Sequence, residues 1–283
     1  MTKPLTLGYS TCPNDTFLFH ALAHARVDRR GLDFDIRLAD VERLNQAAEG
    51  GELDVTKLSF AAVGHLRERY ALLRSGAALG RGCGPLLISR PGFDPSRLGR
   101  VPIAVPGMRT TAAMLLGLYL SRTPACAPMT FDKIMPAVSR GEYEAGVIIH
   151  EGRFTFRNHG LAELVDLGRW WEDETGLPIP LGGIAVRRDL GPEVARRVEV
   201  AIRDSVAHAF AHPADSAEYI RAHAQEMADD VVRQHIALYV NDFTLDLGEE
   251  GVAAVAELFR RGHAAGLLPD SREPLLAGDV GVS

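Results

Sequence analysis

Short apolar runs that stop at small polar loops, each followed by an apolar rhythm of three to four residues, recur along the chain. Leu5–Gly8 is apolar and ends at Ser10-Thr11-Cys12-Pro13-Asn14-Asp15, which reads as a first strand and its loop. Asn14 or Asp15 can cap a helix from near Thr16 to about Ala25. Phe34, Ile36 and Leu38 alternate as a second strand would. Asp40 then caps a helix through Leu44 to Ala48, closed by Gly50-Gly51. Val55–Leu58 is a third short strand, and Ser59 opens another helix. The alternation restarts after Arg100, with a strand at Val101–Val105, a helix at Thr110–Leu120 and a strand at Ala145–Ile149. Strand–helix alternation of this kind predicts an α/β fold with a largely parallel sheet.

Two stretches rich in proline and glycine, Pro91–Arg100 and Gly176–Gly183, read as crossovers between lobes. They predict a larger discontinuous lobe (residues 1–95 and 184–283), a smaller inserted lobe (96–183) and a ligand cleft between them. After the second crossover the pattern turns helical. Pro192 suits a first helical turn, and Val194, Val198, Ile202, Val206 and Ala209 share one face. Further helices are expected over 214–226, 230–240 and 249–266, and the tail after Pro269 reads as loosely ordered.

The chain has 283 residues, enough for two lobes with a shared core. A net charge of -6 without a basic run argues against a nucleic-acid partner. The first ten residues hold one lysine and no long apolar stretch, and no segment reaches bilayer length. These features predict a cytoplasmic protein without membrane association. Cys12, Cys83 and Cys126 are far apart and odd in number, as for reduced thiols. His208 and His212 are four apart but lack a completing ligand, so no metal is expected, and no other cofactor either.

Candidate chemistry gathers at four polar strand-to-helix junctions: Ser10–Thr16, Thr56–Ser59, Gly107–Thr111 and His150–Gly152. Helix starts offer unpaired N–H groups, to which Ser59, Thr110 and Thr111 can add hydroxyl donors. Together they would hold a carboxylate without a metal; taken singly, each reads as a helix cap sooner than as a binding site. Gly80, Gly82 and Gly84 lack dinucleotide-fingerprint spacing and mark a tight turn near the cleft; Arg81 beside them is an anion contact or a solvated arginine. His150 follows the apolar Gly146–Ile149 run, where an imidazole can remove a proton near neutral pH. The competing reading is a structural histidine bonded to a carbonyl. Glu151 is placed to orient it, to assist it, or simply to favour the start of the next helix. Cys12 has no activating histidine near it in sequence, and Trp170-Trp171 reads as lobe-edge packing sooner than as a stacking platform.

Several segments occur together and in order: Cys12-Pro13-Asn14-Asp15-Thr16-Phe17, Asp40-Val41-Glu42 with Leu44-Asn45, Thr56-Lys57-Leu58-Ser59, Leu79-Gly80-Arg81-Gly82, and Val147-Ile148-Ile149-His150-Glu151. Gly176-Leu177-Pro178 with Pro180-Leu181-Gly182, and Tyr239-Val240-Asn241, follow. In this combination the chain resembles the 1,4-dihydroxy-6-naphthoate synthase family of the futalosine route to menaquinone, from about Leu5 to about Phe259. The resemblance implies a type II periplasmic-binding-protein fold and conversion of cyclic dehypoxanthine futalosine, a small aromatic carboxylate, by proton abstraction and elimination without a cofactor. It implies His150 as the base and substrate contacts at Asn45, Lys57, Leu58, Ser59, Thr110, Thr111 and Tyr239. Asn14, Ile149, Glu151 and Leu181 complete the candidate set. A homodimer is a candidate assembly. Two other readings share the fold: the chorismate dehydratase of the same pathway, and a solute-binding protein without catalysis.

Overall fold

The computed structural model describes residues 3–224 and 228–278. Its strands are β1 (Leu5–Tyr9), β2 (Phe34–Leu38), β3 (Val55–Ser59), β4 (Tyr70–Leu72), β5 (Ala78–Gly80), β6 (Leu86–Ser89), β7 (Ile103–Val105), β8 (Cys126–Pro128), β9 (Ala145–Ile148), β10 (Ala162–Asp166) and β11 (Ile179–Arg187). The helices are α1 (Pro13–Ala23), α2 (Val41–Glu49), α3 (Phe60–Leu66), α4 (Thr111–Tyr119), α5 (Phe131–Ser139), α6 (Gly152–Thr155), α7 (Leu167–Thr175), α8 (Pro192–Ala211), α9 (Ala217–His223), α10 (Asp229–Tyr239), α11 (Asp242–Leu245) and α12 (Gly248–Ala264).

The strands form two sheets. The first runs β2-β1-β3-β11-β4, with β5 also paired to β11; the second runs β10-β6-β9-β7-β8. Among these strands, parallel pairing joins β1 with β2 and β3, and β7 with β8 and β9. The other pairings are antiparallel, so both sheets are mixed where the alternation predicted mainly parallel ones.

The expected lobe limits also shift. β6 already belongs to the second sheet and β11 to the first, so the chain changes sheets between Gly80 and Leu86 and again between Asp166 and Ile179. Pro91–Arg100 stays within the second lobe as a link between β6 and β7. Most of the Gly176–Gly183 stretch is strand. Pro180 is tolerated because it lies where β11 pairs only with β5 and the register slips, while pairing to β3 starts at Gly182. Gly84 takes φ +121°, and a Cβ there would approach the Gly168 backbone at 3.0 Å, so the crossover needs glycine.

One face of the first sheet is packed by α1 and α8. Leu7, Tyr9, Val55, Ile184 and Val186 meet Phe17, Leu18, Leu22, Val198, Ile202 and Val206 there. The opposite face contributes Leu58, Tyr70, Leu72 and Ala185 to a core that runs through α3, α4 and α12 into the second lobe. A smaller core lies between the second sheet and α5, around Ile88, Ile134, Val138 and Ile148. The predicted helix at 214–226 is a 3-10 turn (Pro213–Ser216) followed by α9, and Gln225 and Glu226 lie outside the described residues. The tail is tied down as far as Gly278. Leu276 bridges Leu72, Ala277 donates to the Leu72 carbonyl, and Arg188 binds the Pro274 carbonyl at 2.5 Å. Tertiary contacts thus override a composition that reads as loose.

Candidate functional site

The ends of β1, β3, β9 and β11 and the starts of α3 and α4 converge on a cleft enclosing about 670 Å³, part of it open to solvent. Ligands of sheet proteins gather at such strand ends.

On the first-lobe wall Asp15 is a buried hub. It sits inside α1, whose cap is Cys12, so it is not the cap the sequence suggested. Its Oδ2 accepts from the Ser10 N–H at 3.1 Å and the Ser10 hydroxyl at 2.6 Å. Its Oδ1 accepts from Asn14 Nδ2 at 2.9 Å and forms an ion pair with Lys57 Nζ at 3.1 Å. Lys57 also donates to the Gly76 carbonyl at 3.0 Å. The two charged side chains are 6% and 2% exposed, so removing either would leave the other's charge buried without its partner.

Ser59 ends β3 and stands at the start of α3 without capping it. Its N–H donates to Asn45 Oδ1 at 3.1 Å, and Asn45 Nδ2 donates to its hydroxyl oxygen at 3.2 Å. The Ser59 hydroxyl hydrogen has no acceptor among the described residues. Thr110 and Thr111 behave differently. Thr110 caps α4, accepting from the Ala113 N–H while donating to the Gly107 carbonyl at 2.7 Å. Thr111 donates to the Leu181 carbonyl at 2.7 Å and accepts from the Ala61 N–H at 3.2 Å, so its hydroxyl ties α4 to the first lobe. Of the three expected hydroxyl donors, Ser59 alone has an uncommitted hydrogen. The α4 start adds the N–H groups of Thr111 and Ala112, which have no partner among the described residues.

His150 follows β9 with φ +55°, a left-handed conformation uncommon for any residue but glycine. Such strain, of order 1–3 kcal/mol, is sustained by the surroundings and turns the ring onto the cleft wall. Phe131 meets the ring edge-on at 5.1 Å between centroids, and His235 stacks against it at 6.1 Å. Burial pushes the imidazole pKa down, while Glu151 and Asp15 oppose this with their charges. At pH 7 the ring is therefore held mainly in its neutral form.

Cys12, which lacked a partner in the sequence, has one in space. Its Sγ lies 3.5 Å from His150 Nδ1 and 3.8 Å from Nε2. Burial pushes its thiol far above the ordinary range, so the pair has the spacing of a nucleophile–base dyad without the ionisation. Either the thiol or a ring N–H is the donor in this contact, according to the His150 tautomer.

Asn14, Lys57, Leu58 and Ser59 line the cleft from the first lobe, and Leu181 and Tyr239 join them. Thr110, Thr111, Ile149 and His150 line it from the second. Asn45 is fully buried and spends its amide on Ser59, Glu42 and the Arg109 carbonyl, so it positions Ser59 and does not face a ligand. Glu151 is not on the cleft wall either, because the chain turns into α6 immediately after it. Arg81 pairs at the surface with Glu250 at 2.7 Å, in keeping with a solvated arginine. Trp171 is buried with its Nε1 donating to the Pro178 carbonyl, and Trp170 packs on Tyr119. His208 and His212 pack with their rings tilted at 44°, and His208 contacts Asp215. Ser10 and Asp15 belong to a junction the sequence singled out, without a ligand-site role of their own there, and His235 is a cleft residue that the sequence reading passed over. For His235 the available signal was its i, i+4 spacing from Tyr239 on one helix.

A family model described as menaquinone biosynthesis matches residues 5–264. The chain is 51% identical over 273 residues to a 1,4-dihydroxy-6-naphthoate synthase of Thermus thermophilus, covering 96% of this chain and 99% of that one. It is 48% identical over 270 residues to the enzyme of the same name from Streptomyces coelicolor, covering 94% and 95%. A Candida albicans protein with the generic periplasmic-binding-protein fold superposes with a TM-score of 0.69 at 13% identity, covering 95% of this chain and 92% of that one.

Proposed function

The chain belongs to the menaquinone-biosynthesis family, and on that premise we propose that it is a 1,4-dihydroxy-6-naphthoate synthase acting on cyclic dehypoxanthine futalosine, with His150 as general base. The observation that best supports the chemical part is a neutral imidazole beside a cluster of anion-binding donors. The substrate carboxylate is held by the Ser59 hydroxyl and the free N–H groups at the start of α4. The Lys57 ammonium, which donates to the Gly76 carbonyl and is ion-paired with Asp15, faces the same space.

With the carboxylate anchored, the sugar-derived portion lies against His150. The neutral ring takes a proton from a C–H there. The electron pair released opens the ring and expels the sugar fragment, and the second aromatic ring forms. The imidazolium returns its proton to the departing oxygen, so no net electrons leave the substrate. Asn45 acts through Ser59, and Asp15 acts through Lys57 and Asn14, as positioning residues.

The protein operates as a small-molecule enzyme; among the described residues no helix is long and apolar enough to cross a membrane. The decisive experiment supplies purified protein with cyclic dehypoxanthine futalosine and, separately, with chorismate. Formation of 1,4-dihydroxy-6-naphthoate from the first is expected. Turnover of chorismate alone would identify a dehydratase instead, and binding without turnover would identify a receptor.

A further inference from the structure

His235, on α10, carries an unmet hydrogen-bonding group on the cleft wall. Its side chain is buried, and its Nδ1 has no partner among the described residues. Its other nitrogen is engaged, with Nε2 3.1 Å from Asn14 Oδ1.

The orientation of this contact is fixed from the far end of a chain of hydrogen bonds. Asp15 takes the Ser10 N–H and hydroxyl on one oxygen and faces the Lys57 ammonium with the other, so it serves here only as an acceptor. Asn14 must therefore turn its Nδ2 toward Asp15, where it donates at 2.9 Å. That leaves the Asn14 carbonyl oxygen facing His235, and an oxygen there requires a hydrogen on Nε2. Burial, with the neighbouring His150 ring, pushes the His235 pKa down to about 3, so the ring holds one proton only. Nδ1 is then a bare lone pair.

We propose that His235 is a substrate-binding residue whose Nδ1 accepts a hydrogen bond from a hydroxyl of the bound substrate. Asn14, Asp15 and Lys57 are positioning residues that select its tautomer. A hydroxyl is the matching donor because a neutral imidazole nitrogen neither attracts a carboxylate nor needs a cation. His235 lies against His150, at 6.1 Å between ring centroids, so the hydroxyl it binds belongs to the reacting portion and not to the anchored carboxylate. The identity of the substrate rests on the function proposed above; the tautomer does not.

The test has two arms. Nitrogen-15 NMR of the histidine rings in the free parent protein, with His235→Gln to assign the signal, should find the Nε2–H tautomer; an Nδ1–H tautomer would overturn the proposal. In steady-state kinetics with cyclic dehypoxanthine futalosine, His235→Gln can still donate to Asn14 but has no acceptor where Nδ1 was. Its kcat/KM should fall roughly ten- to hundredfold, mostly through KM, as for a substrate hydroxyl left unpaired. His235→Asn, whose oxygen can stand near the Nδ1 position, should retain more. Parental kcat/KM in the Gln variant, or equal losses in both, would reduce the ring to packing and refute the assignment. If the parent protein does not turn over this compound, the functional reading fails and the NMR arm still decides the tautomer.

Discussion

Replacing His150 by Asn separates chemistry from folding more cleanly than any other change at the site. The backbone at this position has φ +55°, which asparagine adopts more readily than most residues, so the strained turn after β9 survives. The ring contacts with Phe131 and His235 are lost. At about 0.5–1.5 kcal/mol for each aromatic pair, the cost to stability is about 1–3 kcal/mol, and the fold should hold. Removal of a positioned base should lower kcat by about 10²–10⁴-fold, equivalent to about 3–5 kcal/mol of barrier. Substrate affinity should stay near parental, because the carboxylate donors lie on β3 and α4. The pH profile carries a second, independent reading. The base works when unprotonated, and burial lowers its pKa below the ordinary value of about 6.5. The parent kcat/KM should therefore hold down through pH 6.5 and fall only below it, on a limb that His150→Asn lacks. Turnover by quenched-flow, with thermal melting to verify folding, measures both. A folded Asn variant with near-parental turnover would sink the assignment, and an acid limb centred above pH 6.5 would contradict the buried, neutral ring.

Ser59→Ala should weaken substrate binding by roughly one to two orders of magnitude, since hydrogen bonds to charged groups contribute about 1.5–3 kcal/mol; unchanged calorimetric affinity would reduce Ser59 to a link to Asn45. Thr111→Val should act mainly on stability, by about 1–3 kcal/mol, because it leaves the Leu181 carbonyl and the Ala61 N–H unpaired; a loss of affinity with full stability would point to a direct substrate contact. Lys57→Met strands the Asp15 carboxylate and should cost about 3–5 kcal/mol in urea unfolding, much of it recovered in Lys57→Met with Asp15→Leu; a single variant as stable as the parent would disprove the coupling. His235 has a folded pKa of about 3 against about 6.5 unfolded, so unfolding takes up a proton: its contribution is intact above about pH 6.5 and drains as pH falls, by about 2 kcal/mol at pH 5. His235→Gln should lose less stability than the parent between pH 7 and pH 5, and parallel curves would refute the buried neutral ring.

What the sequence made legible followed physical locality. The parallel strands β1, β3, β7 and β9 announce themselves as apolar runs before polar loops, and Asp40 caps α2 through the Glu42 and Arg43 N–H groups as its position suggested. β11 stayed hidden because Pro180, Gly182 and Gly183 carry the signature of a loop, and the strand exists only through β3, β4 and β5, which are distant in sequence. The same division holds at the cleft. His150 was visible from its strand-end position. The roles of Asn45, Thr111 and His235 depend on partners 14 to 221 residues away, and no local pattern specifies those.

The central position of β11 orders events during synthesis. β3 and β4 meet only through it, so the amino-terminal strands cannot close their sheet until residue 187 has left the ribosome. By then all five strands of the second sheet, the last ending at Asp166, have already been made. At ordinary elongation rates the interval is roughly 1–4 s, ample for a small sheet to collapse. The lobe carrying His150 is thus placed to fold ahead of the lobe that begins the chain, and the β3 edge stays open to a neighbouring nascent chain from its own synthesis until β11 arrives, so slowing translation between residues 59 and 187 should raise misassembly more than slowing it after residue 187.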